Sequence, residues 1–245
     1  MDRMPRAAIA RAAAIARRSA EVAADLLMPA RCAGCDLPGT LLCPGCRTLL
    51  PLIERTGSCP RCGAPDGAHG CAECGRTHVT FVAARCAGVF EWPLSRLVTL
   101  HKDAGELRLT PLLAELAAGA AGEWCETADA VVPIPASPGA FARRGFDHGA
   151  LLAAEFAHRT GVPAYDALRA RPRRDQRHLS RESRGANARA SLWCPGGLSV
   201  PERVLLIDDV MTTCATAEAA TLALIERGAR EVRVVAVART CGGRL

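Results

Sequence analysis

The chain has 245 residues, of which 49% are apolar, 23% charged and 4% aromatic. That balance is too apolar for a disordered chain and long enough for one core domain plus a small extra module. The formal charge of +6 is local. Residues 169 to 189 hold arginines at 169, 171, 173, 174, 177, 181, 184 and 189 against Asp175 and Glu182, and eight less two accounts for all of it. A single basic segment points to a local anion site and argues against a protein that coats nucleic acid over its whole surface.

In chain order, residues 6 to 27 place Ile9, Ile15, Val22, Leu26 and Leu27 at helical spacing between arginines, with Pro29 as a stop. A leading helix over 1–30 is expected. No apolar run there reaches the length of a signal core or a membrane span, so the chain reads as cytoplasmic and reduced, with no membrane span. The run Cys32-x2-Cys35-x7-Cys43-x2-Cys46, then twelve residues, then Cys59-x2-Cys62-x8-Cys71-x2-Cys74 is punctuated by Gly and Pro and is too short of apolar residues to fold unaided. Two residues between thiolates let one turn present both sulfurs to a single ion, and Gly34, Gly45 and Gly63 or Gly75 offer the backbone freedom such turns use. Residues 31–76 are therefore read as a double zinc ribbon. Sequential quartets (32, 35, 43, 46 and 59, 62, 71, 74) cost less loop entropy than interleaved ones, although interleaving is also feasible. Either arrangement fills all four positions with sulfur, so the zinc is structural, and His69 and His78 read as ordinary surface residues. Cys86, Cys125, Cys194, Cys214 and Cys241 remain as scattered thiols.

An α/β domain over 79–245 follows. The pattern predicts a strand at 82–90, helices at 94–102 and 106–121, a strand at 129–133, a helix at 147–159, strands at 162–168 and 204–207, a helix at 215–227 and a last strand at 231–238. Strands alternating with helices imply a mostly parallel sheet covered on both faces. The most informative stretch is VLLIDDVMTTCATAEAA, 204 to 220. It puts two carboxylates at the end of a buried strand, then threonines and free backbone N–H groups at a helix N-terminus, where a phosphate is favoured. Two acids beside a phosphate cradle require a ligand that also offers hydroxyls or Mg²⁺, which a ribose 5-phosphate does. An acid pair capping a turn, with threonines as helix caps, is the plainer alternative.

Taken together, this order of residues resembles the phosphoribosyl pyrophosphate (PRPP) motif of type I phosphoribosyltransferases. With four CxxC pairs in front, the whole chain resembles the ComF family, a double zinc ribbon followed by a phosphoribosyltransferase domain with a flexible hood. DLLMPARCAGC (25–35), LHKDAGE (100–106) and VVPIPASPGAFARRGFDHGALLA (131–153) carry that resemblance over nearly all of 25–240, with Asp147 and His148 where Asn and Gln are commoner. It implies that Asp208 and Asp209 hold the ribose hydroxyls as the catalytic pair, and that Thr212, Thr213, Cys214, Ala215 and Thr216 hold the 5-phosphate.

Cys214 stands where the family usually has glycine, and is expected to be tolerated if its φ stays negative. Lys102 becomes a candidate pyrophosphate contact. Arg143 and Arg144 are bidentate donors for pyrophosphate or, equally, a solvated helix end. The segment 169–189 resembles the hood, with Gln176, Leu179, Arg184 and Asn187 matching its Gln-x2-Leu and Arg-x2-Asn pattern; a strip for nucleic-acid phosphates and a solvated loop are its other readings. Three functions stay open: Mg²⁺-PRPP-dependent transfer to an unidentified acceptor, a module binding single-stranded DNA or competence proteins, and a PRPP sensor without turnover. No aromatic residue interleaves with the arginines of 169–189, which weakens a dedicated single-strand surface.

Overall fold

A computed structural model of the chain describes residues 29–65, 71, 74, 79–171 and 192–241. The expected leading helix, and Gln176, Leu179, Arg184 and Asn187 of the arginine-rich segment, lie outside the described residues. Two compact units divide the chain between Thr48 and Leu49.

The first unit is built around one CxxC turn. Cys32 N–H donates to Leu37 O and Asp36 N–H to Cys32 O, each at 2.8 Å, and Arg31 bridges Pro38 in a one-residue antiparallel contact. Helix α1 (Pro44–Thr48) brings Cys46 inward. The second unit repeats the same turn at its start. Cys59 N–H donates to Ala64 O and Gly63 N–H to Cys59 O, while Ser58 bridges Pro65. The left-handed residue falls at the same place in both, Asp36 at φ 66° and Gly63 at φ 68°. Of the glycines expected to free these turns, Gly63 does so, whereas in the first turn Asp36 takes that conformation in place of Gly34 or Gly45; aspartate tolerates it because its short side chain bonds locally.

Four parallel strands make the sheet: β1 (Ala83–Val89), β2 (Ala130–Pro133), β5 (Arg203–Met211) and β6 (Glu231–Arg239), in the order β1-β6-β5-β2. Between them run α2 (Leu94–Asp103), α3 (Thr110–Ala121), α4 (Trp124–Thr127), α5 (Pro138–Arg144), α6 (His148–Thr160) and, between β5 and β6, α7 (Ala215–Ile225). β3 (Arg169–Ala170) and β4 (Leu192–Trp193) pair antiparallel as a separate ribbon. The sheet's side chains alternate between two faces. Val204, Leu206, Val232, Val234 and Ala236 share a core with Ala217, Ala220 and Leu224 of α7 and with Cys59, Cys62 and Cys74. Helices α3 and α6 pack on each other and on the sheet, α3 over β1 and β6 and α6 over β2 and β5. Glu218, buried in the first turn of α7, accepts from Thr80 N–H at 2.7 Å and from Thr80 Oγ1 at 2.6 Å.

Two expected elements change. The helix predicted from Glu106 begins at Thr110 after a short 3-10 turn, Leu107–Leu109, because Pro111 lacks an N–H and belongs in a first turn. The strand predicted over 162–168 reduces to a single bridge between Ala164 and Val131. Pro163 accepts from Val131 N–H and has no N–H of its own to extend the ladder. No helix among the described residues is long and apolar enough to cross a membrane.

Candidate functional site

The site forms where β2 stops and β5 continues. Pro133 faces Ile207 at the end of the β2–β5 ladder, and Ile134 N–H still donates to Ile207 O. β5 then runs on to Met211 paired only with β6. Asp208 and Asp209 therefore lie on the edge that β2 vacates, at the carboxyl end of a parallel sheet, where α/β folds open a crevice. The expected four-residue strand at 204–207 is longer than its apolar run, since pairing with β6 carries it through both acids.

Around that edge is a cavity of ≈ 280 Å³, with Asp208, Asp209 and Thr216 on one side and Lys102, Arg143, Arg144 and His148 among its other walls. Thus one cavity gathers the acid pair, the end of the phosphate loop and three of the predicted cationic contacts. Thr212 and Thr213 are exposed on the loop, while Cys214 is buried. Arg171, at the start of the arginine-rich segment, also lines the cavity beside Ala170 and Leu192, and its guanidinium lies 5.9 Å from the Trp193 ring.

The acids are unequal. Lys102 Nζ lies 2.8 Å from Asp209 Oδ2 and donates to Oδ1 at 3.1 Å. His148 Nε2 approaches Oδ2 at 3.3 Å. Burial works against ionising Asp209, but the Lys102 ammonium and then His148 outweigh it and hold its titration below the usual carboxylate range. Asp208 goes the other way: desolvation first, then the charge of Asp209, pushes it well up. The pair therefore takes its first proton on Asp208, and a proton there beside the Asp209 carboxylate would offer both a donor and an acceptor to a pair of hydroxyls. Moreover, buried Asp209 Oδ2, 2.8 Å from the Lys102 ammonium and 3.3 Å from His148 Nε2, accepts no hydrogen bond of good geometry, an acceptor that a ligand hydroxyl would satisfy.

His148 is a contact that the sequence reading treated only as a replacement of glutamine. Its neighbour Asp147 is a structural cap: Oδ1 accepts from Gly149 N–H at 2.9 Å and Ala150 N–H at 3.2 Å, and Oδ2 from Ala136 N–H at 3.0 Å. A β-carbon on Gly149 would meet Ile134 O at 2.4 Å, so only glycine lets α6 approach β2 this closely. Arg144 is tied to Asp103 at 2.8 Å, and Arg143 donates to Gly139 O at 3.0 Å.

The phosphate loop carries one correction. Cys214 has φ 63° and ψ −5°, the left-handed region, so the negative φ on which its easy accommodation depended is not met. The loop keeps the conformation a glycine would take and carries a side chain through it, at roughly 1–2 kcal/mol of backbone strain. Behind the loop stands Arg239, 1% exposed. It donates from Nη1 to Met211 O at 3.1 Å, to Thr240 O at 2.5 Å and to Thr212 O, and from Nε to Cys62 O at 3.2 Å. Sequence reasoning missed it. The one signal was an arginine closing the otherwise apolar run VVAVAR.

The metal candidates group sequentially, 32, 35, 43, 46 and 59, 62, 71, 74, with each quartet's sulfurs within 4.8 Å of one another. Sulfur separations of 3.8 Å (Cys35–Cys43), 3.6 Å (Cys59–Cys74) and 3.5 Å (Cys62–Cys71) match the roughly 3.8 Å edge of a tetrahedron with metal–sulfur bonds of about 2.3 Å. Each quartet could hold one zinc ion, and neither leaves a position for water.

No family model matches the chain. The DNA utilization protein YhgH of Salmonella typhimurium is 29% identical over 233 residues, covering 88% of this chain and 99% of that protein. The competence protein ComFC of Streptococcus pneumoniae is 26% identical over 204 residues, covering 81% and 87%. Among solved structures, orotate phosphoribosyltransferase from Aeropyrum pernix aligns with a TM-score of 0.36 and 18% identity over 66% of this chain and 84% of its own. An allosteric regulatory enzyme of purine biosynthesis aligns with a TM-score of 0.37 and 25% identity over 52% of this chain, which spans only 25% of that enzyme. Two four-cysteine clusters and a parallel α/β sheet thus stand in a chain that is homologous over most of its length to the ComFC and YhgH proteins.

Proposed function

We propose that the protein binds Mg²⁺-PRPP in the cavity at the end of β5 and transfers its phosphoribosyl group to an acceptor. The observation that carries this reading is the meeting, in one cavity, of a split acid pair with Lys102, Arg143, Arg144 and Thr216 of the phosphate loop. Asp208 and Asp209 would take the ribose hydroxyls, Asp208 donating and Asp209 accepting at Oδ2. Thr212 to Thr216 at the start of α7 would take the 5-phosphate, aided by the helix dipole. Lys102, Arg143 and Arg144 would face the pyrophosphate. The bond from the anomeric carbon to pyrophosphate breaks as a new bond to the acceptor forms, so positive charge grows on the sugar while negative charge grows on the leaving group. Mg²⁺ would enter with PRPP and neutralise the leaving pyrophosphate. The reading carries with it a cytoplasmic, reducing setting, in which eight thiolates can hold two structural zinc ions.

The names of the relatives, a competence protein and a DNA utilization protein, support a link to competence and to DNA, and with it a second reading. Here the basic wall of the cavity, with Arg171 at its edge, meets single-stranded DNA or a competence partner. Calorimetric titration of Mg²⁺-PRPP into zinc-loaded protein separates the two. One-to-one saturable binding that Asp209→Asn abolishes is the expected result. No binding by a folded, two-zinc protein refutes the transferase and sensor readings together. A DNA affinity that falls steeply with salt would then put the nucleic-acid reading first.

A further inference from the structure

We infer that Arg239 is a positioning residue that makes the phosphate loop depend on the metal state of the second cysteine cluster. Resting on the PRPP reading for its ligand, this assigns the cluster a function beyond holding the fold. Arg239 ends β6 directly opposite Met211, the last residue of β5, and its guanidinium is buried between two structures. On one side Nε donates to the carbonyl of Cys62, whose sulfur belongs to the Cys59, Cys62, Cys71 and Cys74 quartet. On the other side Nη1 donates to the carbonyls of Met211 and Thr212, the first residues of the loop. Nη2 faces Cys214 Sγ at 4.0 Å.

A planar guanidinium cannot turn one edge without turning the others. In a trans peptide the carbonyl and the following N–H point in opposite directions. Holding Met211 O and Thr212 O toward Arg239 therefore aims the N–H groups of Thr212 and Thr213 away from it, on the outward side of the loop where an anion binds. The Cys62 carbonyl keeps its position only while its own turn is closed. That turn has Gly63 at φ 68°, where a β-carbon would lie 3.1 Å from both Ala84 O and Cys86 Sγ; two backbone hydrogen bonds close it, and a metal shared by Cys59, Cys62, Cys71 and Cys74 would lock it in a stretch otherwise rich in loops. Loss of metal would free the Cys62 carbonyl, release the guanidinium, and let the two peptide planes of the loop rotate.

The test has two arms. The first compares wild type, Arg239→Lys and Cys71→Ser by hydrogen exchange, reading the amides of 212–216 against those of β5 and β6. Arg239→Lys keeps the charge, but one ammonium cannot span Cys62 O and the loop carbonyls. Faster exchange confined to 212–216 in Arg239→Lys with both zinc ions present, and in wild type after zinc is withdrawn with a chelator, is the expected result. The second arm is PRPP titration, where affinity should fall roughly tenfold, about 1.4 kcal/mol, in Arg239→Lys. Wild-type loop exchange in Arg239→Lys, or in zinc-stripped protein that keeps its sheet, overturns the inference. If Cys71→Ser fails to fold, Arg239→Lys and the zinc-stripped wild type decide between them. If wild type binds no PRPP, the function proposed above fails, while the exchange arm still judges the coupling.

Discussion

His101 should make the fold acid-labile in a defined window. It is 1% exposed, and its Nε2 lies 2.9 Å from Thr110 Oγ1. That hydroxyl already donates to Leu107 O at 2.7 Å, so toward His101 it accepts, which puts the ring proton on Nε2 and leaves the buried Nδ1 without a partner. Protonating Nδ1 would place an unpaired cation inside the protein. Burial above all, and then the nearby His148, push the imidazole from 6.5 down to about 4, with Asp209 pulling the other way.

The unfolded chain takes up its proton near the ordinary value, so between the two values the unfolded state binds more protons. The contribution is whole above about pH 6.5 and is lost as pH falls through about 4, amounting to roughly 3 kcal/mol. His101→Gln keeps a donor for Thr110 and does not titrate. Urea unfolding of both proteins from about pH 7 to about pH 4 should show wild type losing roughly 3 kcal/mol more than the variant. The difference removes what both share, including the opposite contribution of Asp208 and any metal release. Parallel curves would mean that His101 is not the group responsible.

The strained phosphate loop predicts an order of stabilities. Cys214→Gly trades relief of left-handed strain against chain entropy and a lost buried thiol and should fall within about 1 kcal/mol of wild type. Cys214→Val forces a β-branched residue into the same φ and should cost roughly 2 kcal/mol or more; thermal unfolding that ranks Val level with Gly refutes the strain. Glu218→Ala removes both bonds to Thr80 and should destabilise by about 3 kcal/mol, with Glu218→Gln intermediate. A loss below about 0.5 kcal/mol in denaturant titration would show that Thr80 finds other partners. Lys102→Met leaves the carboxylate of Asp209 buried beside a neutral imidazole and should cost roughly 3 kcal/mol while raising the pH at which Asp209 titrates. An unchanged carboxyl titration by NMR would deny the pairing.

The strands were legible because β5 and β6 each carry a short unbroken apolar run, 204–207 and 234–238, the mark of a sheet covered on both sides. The cysteine clusters were legible from spacing alone, and the preference for sequential quartets rested on loop entropy. In the site, Asp208, Asp209, Thr216, Lys102, Arg143 and Arg144 were all named in advance and line one cavity. What stayed hidden depends on three-dimensional neighbours. Nothing local to His148 says that it meets Asp209, 61 positions on, because that contact is made only when α6 docks beside the end of β5. Arg239 reads as a polar strand end until β6 is seen to finish beside the loop and the Cys62 turn. The left-handed φ of Cys214 was hidden for another reason: propensity argued against it, and the loop's tertiary anchors overrode propensity.

The β3–β4 ribbon fixes one arginine at the rim of the cavity. Ala170 pairs with Leu192, and both line the cavity, so Arg171, next in the chain and itself a lining residue, is held there by the ribbon, its guanidinium 5.9 Å from the Trp193 ring. An anion entering the cavity meets that charge at an effective concentration set by the tether, on the order of millimolar and independent of how much protein is in solution.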